Sequence, residues 1–289
     1  MRIGIDIGGT RIKIAGLEDE RVIFKKELSF SLKEEPDRVV SRIKQAVRDV
    51  SISSIGIGIA GLVEYKKGLL ISSPNLPLWK GINIPLLFRD FFNTNIAVDN
   101  DANVYAWGEY RIFYRDLDNF LLITMGTGIG SGIILKGEVY HGSRMLAGEI
   151  GHITIIPDGR SCLCGNKGCL EVYIGSKGIL DMAWNRGLQV EEVYDIYALA
   201  KKGNRKAKEV FEKVGVYLAI GLTNVIQLLD PDTIVLGGGV SNAFELFYPS
   251  LEQELKQRIY EWNVRSVYIR PSQLGSFGGA IGAAFLPEP

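Results

Sequence analysis

The sequence predicts a mixed α/β fold built from two related halves, and three observations lead there. The composition is that of a globular α/β chain, with 289 residues, 46% hydrophobic, 10% aromatic and 34 glycines. That is too apolar for disorder and has no collagen or disulfide-scaffold bias. A pattern of strand, glycine turn, strand, turn, strand occurs at the N-terminus and again near residue 120, which reads as an internal duplication at domain scale. At about 150 residues per domain the length also suits two domains.

The elements follow in order. Arg2 to Asp6 is a strand, Gly8-Gly9-Thr10 turns, Arg11 to Ala15 returns, and Val22 to Leu28 completes a meander. Pro36-Asp37 opens a helix whose apolar residues Val39, Val40, Ile43, Ala46, Val47 and Val50 share one face. Ile55 to Ala60 and Ile96 to Val98 read as buried strands. The plan then restarts with Phe120 to Met125, the turn Gly126-Thr127-Gly128-Ile129-Gly130, the strand Ser131 to Leu135, a Lys136-Gly137 turn and Glu138 to Tyr140. Helical stretches at Ser176 to Trp184 and Lys206 to Leu229 precede a strand, Thr233 to Leu236, the run Gly237-Gly238-Gly239, and a helix begun by Ser241. The expected domains are residues 1–108 and 109–275, with a small-residue helix at about 276–289 packing back onto the first.

With 33 Lys+Arg against 33 Asp+Glu the net charge is zero, and no polybasic block offers a nucleic acid its phosphate contacts. An acid and a glycine pair stand where a signal peptide would need its apolar core, and no apolar run approaches the length of a membrane span. All three cysteines fall between Cys162 and Cys169, a poor disulfide framework and a good metal cluster in a reducing compartment. A cytoplasmic protein is expected, with neither nucleic acid nor membrane as partner.

A glycine hairpin can turn successive backbone N–H groups into one concavity, because glycine tolerates positive φ and has no side chain to block a phosphate. Neither of the first two turns is a Walker A loop or a Rossmann fingerprint, since each leads into a strand. Either turn alone is better explained by a tight hairpin without a ligand. Three glycine clusters at matched places, the third being Gly237-Gly238-Gly239, favour nucleotide binding. Asp6, at the end of the first strand, could hold Mg²⁺ through water against the phosphates, or could simply bond to the turn.

Cys162, Cys164 and Cys169 with His152, one of two histidines, make a Cys₃His set. Four protein ligands close a tetrahedral zinc site and leave no position for a reacting water, so the metal is expected to be structural.

Asp6-x-Gly8-Gly9-Thr10-x-x-Lys13, Asn100-Asp101-Ala102-Asn103, Gly126-Thr127-Gly128-x-Gly130, Glu149-Ile150-Gly151-His152 and the stretch Cys162 to Glu171 together resemble the ROK family of sugar kinases and sugar-responsive repressors. The resemblance runs in order from residue 2 to about residue 285. It implies two duplicated actin/hexokinase-like (ribonuclease H-like) domains with a cleft between them, and phosphorylation of a hexose at its 6-hydroxyl by ATP with Mg²⁺. Asp101 matches the family's catalytic base, and its position just after an apolar strand agrees, although Asp99 and Asp101 could also be a pair of strand-end turn carboxylates. Asn100, Glu149, His152 and Glu171 match sugar-contacting positions, and Asn75 is a weaker match. Asp6, Gly8, Gly9, Thr10, Lys13, Gly126, Thr127, Gly128, Gly237, Gly238 and Gly239 are the expected nucleotide residues, and a homodimer or homotetramer is expected.

A glucokinase-type hexokinase is therefore the leading reading. A repressor of the same family would carry a helix-turn-helix ahead of the phosphate hairpin, and with that hairpin at residue 2 the repressor is not expected. An N-acetylmannosamine, N-acetylglucosamine or fructose kinase remains open, because the loops at residues 61–80 and 140–146 would shape the sugar pocket.

Overall fold

The computed structural model describes residues 1–29, 31–265 and 267–286. In chain order the first elements are β1 (Arg2–Ile7), β2 (Arg11–Glu18), β3 (Arg21–Ser29), α1 (Pro36–Ala46), β4 (Ser54–Ile59), β5 (Leu62–Glu64), β6 (Leu69–Ser72), α2 (Ile84–Arg89), β7 (Asn95–Asn100) and α3 (Asp101–Glu109). Next come β8 (Asn119–Met125), β9 (Ile129–Leu135), β10 (Glu138–Val139), α4 (Glu171–Ile174), α5 (Ser176–Trp184), α6 (Val193–Lys201) and α7 (Arg205–Leu229). The chain closes with β11 (Thr233–Gly237), α8 (Phe244–Arg258), α9 (Trp262–Arg265), β12 (Tyr268–Pro271) and α10 (Gly278–Ala283).

Two five-stranded sheets have the orders β3-β2-β1-β4-β7 and β10-β9-β8-β11-β12. Each is a three-stranded meander extended by two further strands, so the duplicated pattern of the sequence is repeated in the sheets. β1, β4 and β7 run parallel, with Ile5 opposite Ile57 and Ile57 opposite Val98. β8, β11 and β12 are parallel in the same way. The chain divides into two compact units: residues 1–118, 132–147 and 273–289 form one, and residues 119–131 and 148–272 form the other.

In the first unit β1, β2 and β4 are buried along most of their length, which explains why they read as nearly continuous apolar runs, whereas the edge strand β3 is largely exposed. Ile3, Ile5, Ile12, Ile14, Ile55 and Ile57 pack with Val39, Val40 and Ile43 of α1 and with Phe88 of α2. Ala15 and Leu17 pack with Ala280, Ile281, Ala284 and Phe285. α10 lies backbone to backbone on its neighbours. A Cβ on Gly4 would overlap the Ala280 carbonyl, one on Gly56 the Ala283 carbonyl, and one on Gly282 the Val104 carbonyl of α3.

Three expectations are corrected. The helix expected at about 276–289 is the short α10, preceded by one 3₁₀ turn, and its last expected residues, 287–289, lie outside the described residues. The helix expected from Ser241 starts at Phe244, because Ser241 Oγ donates to the Gly238 carbonyl inside a 3₁₀ turn. α1 stops at Ala46, so Val47 and Val50 lie beyond it.

Candidate active site

In the first unit, Asp6 on β1 and Asp101 at the start of α3 are close enough for their charges to interact, with Lys13 of β2 beside Asp6. The Asp6 carboxyl is pushed up to about 7, first by burial and then by the negative charge of Asp101, with Lys13 pulling the other way. α10 contributes to that burial: a Cβ on Gly279 would come within 2.7 Å of Asp6 Oδ2. Lys13 Nζ donates to the Ser276 carbonyl at 2.6 Å, which ties the same corner together.

Asn100 caps α3, its Oδ1 accepting from the backbone N–H groups of Ala102 at 2.9 Å and Asn103 at 3.2 Å. Its Nδ2 donates to the Gly61 carbonyl at 3.0 Å. Asp101 is the first helical residue, and its Oδ1 lies 3.0 Å from the Ala102 N–H. Asn75 sits in an exposed turn against Gly9, where a Cβ would lie 3.4 Å from that of Asn75. The first unit thus carries Asp6, Gly8, Gly9, Thr10, Lys13, Asn75, Asn100 and Asp101 on β1, β2, β7, the start of α3 and the loops after β1 and β6.

Glycine's positive φ is not what the first two turns use, contrary to expectation. None of Gly8, Gly9, Gly126 and Gly128 lies in the left-handed region; of the three clusters only Gly238 does, at φ +85, against the Met125 backbone. The glycines supply room instead. A Cβ on Gly128 would stand 2.6 Å from Glu171 Oε2, whose carboxylate accepts the Ile129 N–H at 2.9 Å.

The second unit carries the remaining candidates. Ser176 at the start of α5 donates through both N and Oγ to the Gly126 carbonyl, each at 2.8 Å, which anchors the Gly126–Gly128 turn. Gly239 borders a cavity of about 580 Å³ that Ser176, Val193, Tyr194, Tyr197 and Asn242 also line. Sequence reasoning missed these tyrosines, because α6 carried no motif to mark it.

The side chains of His152, Cys162, Cys164 and Cys169 converge, with one ligand atom from each and all of these within 4.8 Å of one another. Three sulfurs and one imidazole nitrogen at that separation are a donor set for a tetrahedral thiophilic ion. His152 Nδ1 lies 3.7 Å from Cys162 Sγ, and its Nε2 faces Glu149 Oε2 at 3.9 Å. A metal on Nδ1 would leave Nε2–H toward that carboxylate, the usual arrangement of a ligating histidine. Burial pushes the Cys169 thiol up to about 12, while the Asn166 backbone N–H holds Cys164 below the ordinary range. The loop turns on Gly168, at φ +72, where a Cβ would overlap the Ile156 carbonyl. Leu163 in the same loop is fully exposed, so the loop folds round the cluster with little apolar packing of its own.

The sequence offers Asp99 only as a turn carboxylate and gives His141 no role. The two are paired at 2.6 Å in the first unit. The mark available in the sequence was that His141 is the chain's other histidine.

Two sheets of matched strand order, each opening on a glycine turn, define an α/β protein of actin/hexokinase-like architecture. The chain belongs to the ROK family, whose model matches residues 2–288. It is 30% identical to the glucokinase of Halalkalibacterium halodurans, over 98% of this chain and 94% of that one. It is 31% identical to the N-acetyl-D-glucosamine kinase of Yersinia enterocolitica, over 99% of each. Among solved structures, the ROK family glucokinase of Streptomyces griseus, determined in complex with glucose and AMPPNP, superposes with a TM-score of 0.85 at 29% identity, over 99% of this chain and 98% of that one. Among the described residues no helix is long and apolar enough to cross a membrane.

Proposed function

We propose that the protein transfers the γ-phosphoryl group of ATP to the 6-hydroxyl of a hexose, with glucose the preferred acceptor. The observation that carries this reading is the cluster of Asp6, Asp101 and Lys13 at the ends of β1 and β7 and on β2, in a chain whose full-length relatives include kinases of glucose and N-acetylglucosamine. Asp101 is the catalytic base. Held at the first turn of α3, its carboxylate accepts the hydroxyl proton as the oxygen closes on phosphorus.

Mg²⁺ enters with ATP as part of the substrate, and Asp6 in its ionised form faces that cation through water. Gly8, Gly9, Thr10, Lys13, Gly126, Thr127, Gly128 and Gly237 to Gly239 are the nucleotide residues. The cavity lined by Tyr194 and Tyr197 suits a flat base. Asn75, Asn100, Glu149, His152 and Glu171 bind the sugar hydroxyls. His152, Cys162, Cys164 and Cys169 would hold a structural zinc, which would tie down the loop that leads into Glu171. The protein works in the cytoplasm as a homodimer or homotetramer.

ADP release with a panel of glucose, mannose, fructose, N-acetylglucosamine and N-acetylmannosamine tests the reading. The highest kcat/KM is expected for glucose. If no hexose raises ADP release above the rate without sugar, the proposal is wrong; a preference for an N-acetylated sugar would favour the kinase activity of the Yersinia relative.

A further inference from the structure

His141 follows β10 in the first unit and belongs to none of the groups assigned above. Its Nε2 lies 2.6 Å from Asp99 Oδ2, and its ring stacks on Tyr65 with centroids 3.8 Å apart and planes 14° from parallel. Asp99 is 3% exposed, at the end of β7. Its other oxygen accepts the Asn100 backbone N–H at 2.7 Å and Asn103 Nδ2 at 3.1 Å. A carboxylate oxygen accepts, so the pair is made by the tautomer that carries its proton on Nε2. Stacking on Tyr65 fixes the ring plane along which that proton points.

The residues held by Asp99 are those on either side of Asp101. Asn100 precedes it and caps α3; Asn103 follows it, and its N–H is one of those that cap receives. With its Oδ2 unpaired, a carboxylate this buried has to turn to find another partner, which loosens its hold on Asn100 and Asn103. We propose that His141 is a positioning residue for Asp101, acting through Asp99 to fix the first turn of α3 and so the aim of the catalytic carboxylate. The inference rests on Asp101 being the base.

The test compares wild type with H141A, H141Q and D101N, measuring turnover per folded molecule at saturating sugar and ATP. Loss of aim shows in kcat: H141A is expected to fall roughly 10- to 100-fold, with KM for ATP within about twofold of wild type. H141Q offers an amide N–H where Nε2 stands and is expected to keep most of the turnover. The ring also borders a cavity of about 800 Å³ lined by Tyr65, Lys66, Val98 and Trp107, so millimolar imidazole should restore part of the turnover of H141A and none of that of D101N. If H141A does not fold, H141N replaces it: the shorter amide falls short of Asp99, so turnover should drop where H141Q keeps it.

Turnover of H141A within about twofold of wild type, or a loss that neither glutamine nor imidazole repairs, would overturn the positioning role. If D101N retains turnover, the assignment of the base fails instead, whatever H141A does.

Discussion

Replacing Asp6 with asparagine should stabilise the fold at alkaline pH while weakening nucleotide handling. The Asp6 carboxyl stands at about 7 against an ordinary 3.8, a gap of about three pKa units, worth at most about 4 kcal/mol at 1.36 kcal/mol per unit. Because the folded state binds this proton more tightly than the unfolded chain, the contribution is complete below about pH 3.8. It is lost as pH rises to about 7 and stays lost above that. Asparagine carries no charge to desolvate, so Asp6→Asn escapes the loss. About two of the three units fall between pH 5 and pH 8, so its advantage over wild type should grow by roughly 3 kcal/mol across that range, or on the order of 5 to 10 °C in Tm. Thermal unfolding of both proteins at the two pH values measures it. An equal difference in Tm at pH 5 and pH 8 would refute the reasoning, since it would mean that Asp6 does not titrate in this window. In wild type, KM for Mg·ATP should fall as pH rises through about 7 and the carboxylate ionises; the variant should lack that step.

Asp101→Asn should lower kcat by about three orders of magnitude or more while sugar affinity, read by fluorescence or calorimetry, changes far less; near-normal turnover would remove Asp101 from the mechanism. Elemental analysis should find one zinc per chain in wild type, and Cys164→Ser should lose it. In that variant KM for sugar should rise more than KM for ATP, because Glu149, His152 and Glu171 flank or belong to the ligand set; zinc loss with an unchanged sugar KM would leave the metal a stability device only. Gly282→Ala sets a methyl against the Val104 carbonyl and should destabilise the first unit by about 1–3 kcal/mol, read as a lower Tm with unchanged zinc content. An undiminished Tm would mean that α10 can shift on α3 without cost.

The sequence by itself determined the elements whose signal is local. The strands from Arg2 to Leu28 and their repeat at Phe120 to Tyr140 are marked by apolar runs between glycines, and the cysteine cluster lies within one short loop. Long helices with one wet face were equally plain: the reading of Lys206 to Leu229 differs from α7 by one residue. α3 was not, because nearly every residue from Ala102 to Glu109 is buried, which leaves no polar face to reveal the helical period. α10 was overextended because its small residues answer to the carbonyls of β1, β4 and α3 rather than to any rule of helix length. The charge state of Asp6 and the pairing of Asp99 with His141 were decided only by the tertiary structure. Desolvation by α10 from the far end of the chain and a hydrogen bond spanning 42 positions depend on distances in space, and a carboxylate's proton affinity is set by its surroundings rather than by its neighbours in sequence.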